Sequence, residues 1–409
     1  MFNSKKIAIA IISVSAIVTA CSSGTASPSA APASAPASVA PASVAPASAP
    51  ASAPASAAAP TGSVALLLPE NHTPRYEAAD KPFFEAKFAA VCAGAKETYS
   101  NAAESDTTQQ AQAEAAITGG AKVLVLDPVN GATATAIMTN AAAKGVKVIS
   151  YDRLITAPTT TPDWYISFDN EKVGQLQGTA LLAKLDSLNL GRKANVVWIN
   201  GSPKDNNATL FKKGAHSVLD GKVTIVVEDA MANWQQSEAQ TIMDGAITKF
   251  GKTGFDAVYV ANDGGAAGVY ASMVSKGIDP KTKPMTGQDA ALDALQRIVL
   301  GQQYMTIYKA IQPEAEAAAE LACNLVKGDA TVPADLTAFS ATTVNNGTAD
   351  IKSVLLNPLA VTIDGANSTL SVEASVVKDL FYGPTTAAQI CDAKVTPTLP
   401  AACTAAGVK

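Results

Sequence analysis

The stretch GVKVISYDRLI, residues 145–155, joins an apolar run to an adjacent pair of opposite charges. Val148 and Ile149 predict a buried strand. Asp152 and Arg153 follow this strand directly. Two explanations are open for such a pair. It is either a structural ion pair or part of a site that binds a small polar ligand.

Short apolar runs alternate with helical patterns from Ser63 onward, which is typical of parallel sheets covered by helices. The first predicted strands are SVALLL (63–68), AKVLVLD (121–127) and GVKVIS (145–150). After WYISF (164–168) the alternation starts again with ANVVWIN (194–200), VTIVVED (223–229), DAVYVAN (256–262) and KPMTGQD (283–289). The sequence therefore predicts two doubly wound α/β domains of similar size, divided near the Thr- and Pro-rich segment 153–165.

Polar side chains cluster just after these predicted strands. The clusters are Asp152-Arg153, GSPKDNN (201–207), Asn233-Trp234, Asn262-Asp263 and Gln288-Asp289. Open parallel sheets bind ligands beyond the carboxyl ends of their strands. Taken singly, each cluster has a structural explanation: an ion pair, a helix N-cap, a turn or a core aromatic. Five clusters drawn from both halves instead predict one site between two domains.

The residue types in these clusters favour carbohydrate recognition. Carboxylates accept hydrogen bonds, Arg and Lys donate them, and Asn does both, which suits hydroxyl groups that donate and accept. The C–H faces of a sugar ring need a flat apolar wall, which Trp234 and Tyr76 offer.

An enzyme that acts on sugars is the main alternative from the residues alone. A glycosidase needs two carboxyl groups, one of them with a raised pKa, and Asp152 and Asp289 are the candidates. Arg153 and Lys309 would lower the pKa of neighbouring carboxyl groups, which makes both poor general acids. The sequence has no nucleophile elbow, P-loop or dinucleotide fingerprint. We therefore expect no catalysis and no cofactor.

Charge and histidine content exclude two further classes. The chain has 409 residues and a formal net charge of −5 without dense basic runs, which argues against a nucleic-acid partner. Its two histidines, His72 and His216, have no ligand-like spacing, so no metal site is expected.

The N-terminus has the pattern of a bacterial lipoprotein signal. Lys5 and Lys6 precede a short apolar run, and VTAC ends at Cys21. We predict a signal peptide over 1–20 and acylation of Cys21, which would anchor the protein on the outer side of the membrane. The alternative is an ordinary signal peptide followed by an incidental cysteine. Residues 21–62, nearly all Ala, Pro and Ser, predict a disordered stalk of up to roughly 100 Å at ~3.1 Å per residue.

Four further cysteines allow three disulfide connectivities in an exported protein. Cys391 and Cys403 are close in sequence, so a local bridge between them is the first expectation. That pairing leaves Cys92 with Cys323.

The chain resembles the periplasmic monosaccharide-binding proteins of ABC importers, with the type I fold, and among them the D-xylose-binding group. The resemblance covers about 63–365. It rests on GVKVISYDRLI, YISFDNEKVGQLQ, GSPKDNNATLF, AVYVANDGGAAG, TGQDAALDALQRI and GQQYMTIYKAI. It implies that hydrogen bonds to the sugar come from Arg75, Asp152, Arg153, Asp205, Asn207, Asn262, Asp289 and Lys309. It also implies aromatic walls from Trp234 and Tyr76, although Tyr76 stands where the xylose-binding group has Trp.

The resemblance implies a monomer whose two lobes close over one sugar and present it to a membrane permease. The expected lobe segments are 63–153 with about 290–365, and 165–288, with crossings near 153–165, 287–290 and 309–313 and a tail over 366–409. D-xylose is the first expectation for the ligand. A broad receptor for glucose, galactose and other aldoses, and a sensory receptor that signals to a membrane kinase, remain alternatives.

Overall fold

The computed structural model describes residues 62–156, 160–331, 340–362, 387–406 and 408. The predicted signal peptide 1–20, Cys21 and the stalk up to residue 61 lie outside the described residues. Part of the predicted tail, up to residue 386, lies outside them too. Within the described ranges, no helix is both long and apolar enough to cross a membrane.

The described strands and helices alternate over most of the chain. The strands are β1 (Ser63–Leu68), β2 (Lys96–Asn101), β3 (Ala121–Leu126), β4 (Lys147–Tyr151), β5 (Trp164–Phe168), β6 (Asn195–Asn200), β7 (Thr224–Ala230), β8 (Ala257–Val260), β9 (Met305–Tyr308), β10 (Ser340–Asn345), β11 (Asp350–Leu356) and β12 (Leu359–Thr362). The α-helices are α1 (Lys81–Val91), α2 (Asp106–Thr118), α3 (Thr135–Ala143), α4 (Asn170–Ser187), α5 (Asn206–Leu219), α6 (Gln236–Phe250), α7 (Asp263–Ser275), α8 (Leu292–Val299), α9 (Ile311–Val326), α10 (Ala387–Ile390) and α11 (Leu399–Ala405). A π-helical turn, Tyr76–Asp80, leads into α1.

The first lobe is built on a sheet with the order β10-β11-β5-β4-β3-β1-β2 among the described strands. Its strands are parallel except for the antiparallel pair of β10 and β11. Alternate residues of β1 face opposite sides of this sheet, as strand geometry requires. Leu66 packs with Phe84 of α1 and Ala318 of α9, whereas Leu67 packs with Met138 of α3.

The second lobe is built on the parallel strands β7, β6 and β8. Next to β8 runs the segment 284–286, in which Met285 forms one parallel bridge with Val258. The predicted strand KPMTGQD is therefore a single bridge in the structure. Met305 donates a backbone hydrogen bond to Met285 (3.4 Å), which places β9 and its antiparallel partner β12 next in the row. Apolar clusters cover both faces of the sheet in this lobe.

The chain crosses between the lobes at positions that partly differ from the prediction. β5 pairs with β4 in the first sheet, so the first crossing follows Phe168 rather than lying at 153–165. Segment 287–290 stays in the second lobe, because the amide of Asp289 donates to the carbonyl of Ile307 (2.9 Å). The predicted crossing at 309–313 coincides with the passage from β9 to α9. A further crossing, which was not predicted, joins β11 to β12 at 357–358.

Both disulfides that were the first expectation form. Cys92 and Cys323 join α1 to α9 within the first lobe, with their Cα atoms 5.5 Å apart. Cys391 and Cys403 close a short loop in the C-terminal tail.

Candidate ligand-binding site

A cavity of about 300 Å³ lies between the two lobes. All ten residues predicted from the sequence line it: Arg75, Tyr76, Asp152, Arg153, Asp205, Asn207, Trp234, Asn262, Asp289 and Lys309. Each of them is at most 7% exposed, so the lobes are closed over the cavity. Thr73, Phe211 and Gln288 also line it.

Helix N-termini position two of these side chains. Asp205 caps α5, and its Oδ1 accepts a hydrogen bond from the amide of Asn207 (2.8 Å). Asn262 caps α7 in the same way, through the amide of Gly265 (2.9 Å). Each cap uses one side-chain acceptor. Asp205 and Asn262 therefore each cap a helix and also line the cavity.

Asp152 lies at the centre of the charged groups in the cavity. Its Oδ2 is 3.3 Å from Arg75 Nη1, and its Oδ1 accepts a hydrogen bond from Lys309 Nζ (3.1 Å). The side chain of Asn207 donates to the Asp152 carbonyl (3.1 Å). Burial alone would raise the pKa of Asp152, but the charges of Arg75, Lys309 and Arg153 outweigh it and hold that pKa below its ordinary value. Asp152 is therefore an ionised acceptor.

Arg75 is held by carboxylates of its own lobe. Its Nε and Nη2 donate to Asp80 (2.9 and 2.6 Å), and Nη2 also donates to Glu314 (2.9 Å). These bonds fix the plane of the guanidinium and leave Nη1 for the ion pair with Asp152. Glu314 comes from α9, which follows the second crossing.

Arg153 is surrounded by more carboxylates than it can neutralise. Its Nε lies 3.2 Å from Asp205 and 3.6 Å from Asp127, and its Nη2 lies 3.7 Å from Glu70. Burial raises the pKa of Asp127 and of Asp205, and the charge of Arg153 opposes both shifts. Asp205 comes from the second lobe, whereas the other two carboxylates belong to the first. Closure of the lobes therefore brings a third carboxylate, that of Asp205, next to the guanidinium of Arg153.

Trp234 belongs both to the cavity wall and to the core of the second lobe. Its ring meets Phe211 edge to face, with 6.5 Å between the ring centroids. A Cβ added to Gly201 would lie 1.9 Å from its Cη2, so the ring lies directly against the backbone of that glycine. Among the described residues, the buried Nε1 of Trp234 has no hydrogen-bond partner. A donor in this position is available to a bound molecule.

Three cavity residues have backbone angles that are unusual for side chains of their size. Asp152, Trp234 and Asp289 have φ values of 51°, 59° and 98°. Non-glycine residues with positive φ persist where the surrounding structure holds them, and they are common at ligand sites. Asp289 is further held by Gln288, whose Nε2 donates to its Oδ1 (2.6 Å). Burial raises the pKa of Asp289, while the charges of Lys309 and Arg75 oppose this shift.

Comparison with known proteins identifies the family. Residues 64–330, well over half of the chain, match the family described as periplasmic binding protein domain. The chain belongs to the periplasmic binding proteins. The type I fold predicted from the sequence is thereby confirmed.

Two relatives of this periplasmic binding protein place it in the D-xylose-binding group. The D-xylose-binding periplasmic protein of Escherichia coli is 37% identical over 308 residues, which are 74% of this chain and 86% of that protein. The protein of the same name from Haemophilus influenzae is 36% identical over 294 residues, 71% of this chain and 83% of its own. A solute-binding protein of Clostridium phytofermentans, solved with bound β-D-glucose, is 26% identical with a TM-score of 0.65, covering 73% of this chain and 94% of that one.

Some cavity residues of this periplasmic binding protein were not predicted. Phe211 lies one helical turn after Asn207 on α5, so helical spacing was the signal for it. Gln288 precedes Asp289 in a cluster that had been singled out. Glu314, a partner of Arg75, had no local signal, because it is 239 residues away in the sequence.

Proposed function

We propose that this protein is an extracytoplasmic solute-binding lipoprotein of an ABC sugar importer. It binds one aldose, D-xylose first, between its lobes and delivers it to a membrane permease. Acylated Cys21 anchors it to the cell membrane, and it acts as a monomer without catalysis. The ligand favours the closed state through its greater affinity for that state.

One observation carries this proposal: the interlobe cavity combines charged hydrogen-bonding groups with an aromatic wall. The ionised acceptor Asp152 and the donors Arg153 and Lys309 meet the requirements of hydroxyl groups on several sides of a small ring. Trp234 supplies an apolar surface beside them. The names of the two D-xylose-binding relatives support the choice of sugar.

A thermal-shift screen of aldopentoses and aldohexoses tests the proposal. A ligand that binds only the folded protein stabilises it by about 2.7 kcal/mol at a concentration a hundredfold above its Kd. We expect D-xylose to raise the melting temperature and ribitol, which has no ring, to leave it unchanged. If no aldose in the panel raises the melting temperature, the proposed function is wrong.

A broader aldose specificity is the second candidate. The related structure from Clostridium phytofermentans holds β-D-glucose, and a relative from Azospirillum brasilense is named a multiple sugar-binding periplasmic protein. Tyr76, in place of a larger Trp, favours this alternative because it leaves room beside the ring. Equal shifts with D-xylose and D-glucose would support it. A sensory receptor has the same pocket, and co-purification with a membrane kinase rather than a permease would identify one.

Loss of the Trp234 ring is expected to weaken sugar binding. Trp234→Ala removes an apolar wall worth ~1–3 kcal/mol, so affinity should fall by about fivefold to a hundredfold. Gly201→Ala should have a similar effect, because its Cβ would displace the ring. The matched control is Gly245→Ala on α6, where an added Cβ meets nothing within 4 Å. Calorimetric affinities for Trp234→Ala and Gly245→Ala that agree would place Trp234 outside the binding surface.

Sugar affinity is also expected to rise as pH falls from 8 to 6. Burial, together with Glu70 and Asp205, raises the pKa of Glu104 to about 7, against the opposing charges of Arg153 and Lys204. Lys204 of the second lobe lies 3.9 Å from Glu104, so the second lobe contributes to this burial and the open form should have a lower pKa. The closed form then binds more protons between these values, which stabilises it as pH falls through 7.

Calorimetry in buffers of different ionisation enthalpy measures this proton uptake. We expect a several-fold gain in affinity from pH 8 to pH 6, up to about tenfold. Glu104→Gln removes the titrating group and should flatten the dependence. An equally steep dependence in Glu104→Gln would exclude Glu104 as the source.

A further inference from the structure

The C-terminal tail lies beyond the family match, which ends at residue 330. Its described portion contains α10 and α11, which the disulfide between Cys391 and Cys403 joins. The two cysteines are 12 positions apart in the sequence, so the bridge closes a compact hairpin. We call residues 387–406 the C-terminal hairpin.

The C-terminal hairpin packs on α8 of the second lobe. Its residues Ile390, Leu399 and Cys403 are buried in one apolar cluster with Leu295 and Ile298 of α8. The side chain of Gln296 adds a hydrogen bond to the backbone carbonyl of Gln389 (3.0 Å). Fully buried aliphatic side chains of this size hold such a segment firmly in place.

The same apolar cluster reaches the backbone behind the cavity. It includes Ala290 and Tyr308, and each is the chain neighbour of a cavity residue, Asp289 and Lys309. The two segments are joined by the hydrogen bond from the amide of Asp289 to the carbonyl of Ile307 (2.9 Å). Asp289 and Ala290 both have positive φ, at 98° and 52°. Such a backbone needs support from its surroundings.

We propose that the C-terminal hairpin is a positioning element for Asp289 and Lys309. By filling the space behind Ala290 and Tyr308, it holds these two side chains at the distances that a bound sugar requires. The disulfide keeps the hairpin compact enough to fill that space. This inference rests on the proposed function for its effect on affinity, but not for its effect on the backbone.

Hydrogen exchange tests the effect on the backbone without any ligand. In the full chain carrying Cys391→Ser and Cys403→Ser, we expect faster exchange of the amides in 288–291 and 305–310. The matched control is the pair Cys92→Ser and Cys323→Ser, which opens the other disulfide, in the first lobe. Exchange in those two segments that stays at the wild-type rate, with the Cys391–Cys403 bridge absent, would overturn the proposal.

Calorimetry tests the effect on affinity. The Cys391→Ser/Cys403→Ser variant should bind the sugar roughly tenfold more weakly, about the loss of one charge-assisted hydrogen bond. Adding Asp289→Asn to this variant should reduce the affinity much less than Asp289→Asn does in the wild-type protein. Adding Asp205→Asn should instead reduce the affinity as much as it does in the wild-type protein. A full further loss with Asp289→Asn would show that the hairpin acts only on general stability, which overturns the proposal.

A second variant covers the case in which the double serine variant does not fold. Leu399→Ala removes apolar contact with α8 and keeps the disulfide. We expect this variant, too, to show faster amide exchange in 288–291 and 305–310. Its loss of sugar affinity should again not add to that of Asp289→Asn. If the wild-type protein binds no aldose, the proposed function fails, and the exchange experiment still decides the role of the hairpin.

Discussion

Asp289→Ala is expected to abolish sugar binding, with an affinity loss of at least about a hundredfold. The carboxylate lines the cavity, and Gln288 already holds its Oδ1 through a hydrogen bond of 2.6 Å. Its orientation is thereby fixed before any ligand enters. A charged acceptor contributes about 1.5–3 kcal/mol for each hydrogen bond, and one carboxylate can accept from two neighbouring hydroxyl groups.

The same substitution should leave the ligand-free protein as stable as before, or make it more stable. Burial raises the pKa of Asp289, which means that the folded protein holds its charged form at a cost. Lost binding together with unchanged or higher stability is the result expected for a residue that is retained for ligand binding at the expense of stability.

Calorimetry and chemical denaturation together separate these two effects. The control is Asp186→Ala on α4, which removes a carboxylate from an exposed position of the second lobe. Asp289→Ala should lose binding and keep its free energy of unfolding, and Asp186→Ala should keep both. An affinity of Asp289→Ala within threefold of the wild type would remove Asp289 from the binding surface.

The architecture was predictable because strand and helix periodicity is local. The continuous apolar run of β1 and the polar residues at strand ends identified a parallel sheet and the side of it that carries the cavity. Even the sharply turned Asp152 could be placed correctly, since it follows the apolar residues of β4 directly.

The lobe boundaries depend on pairings between distant parts of the chain, which periodicity does not report. The Thr- and Pro-rich segment after Arg153 looked like a linker, yet β5 returns to pair with β4. β11 adds to the first sheet beside β5 from almost 190 residues further on, and β12 then pairs with β9. A single sequence carries no signal for such partners.

The same limit applied to the charges that support the cavity. Asp127 ends an ordinary buried strand, and Glu70 and Glu314 stand in segments with no distinguishing pattern. Their importance comes from their positions around Arg153 and Arg75 in the folded protein. The opening alternatives for Asp152 and Arg153 are therefore not exclusive. Both residues form buried ion pairs, and both line the cavity.

Arg153→Ala is expected to eliminate sugar binding and also to destabilise the protein by about 3–5 kcal/mol. Three carboxylates, on Asp205, Asp127 and Glu70, lie within 3.7 Å of its guanidinium. Removing the guanidinium leaves them buried without their cation. It also removes the donor that holds the Tyr76 hydroxyl (3.1 Å). The control is Lys213→Ala, which breaks a surface ion pair with Glu171 and should change neither property.

The pH dependence of this destabilisation distinguishes lost charge neutralisation from lost packing. Burial raises the pKa of Asp127 and Asp205, and Arg153 opposes both shifts, so the substitution should raise these pKa values further. A carboxyl group with a raised pKa in the folded state favours folding at low pH, and this contribution disappears as pH rises through that pKa. The stability deficit of Arg153→Ala should therefore be smaller at pH 5 than at pH 8 in denaturant titrations. A deficit that is equal at both pH values would mean that Arg153 acts through packing, because lost van der Waals contacts do not depend on protonation.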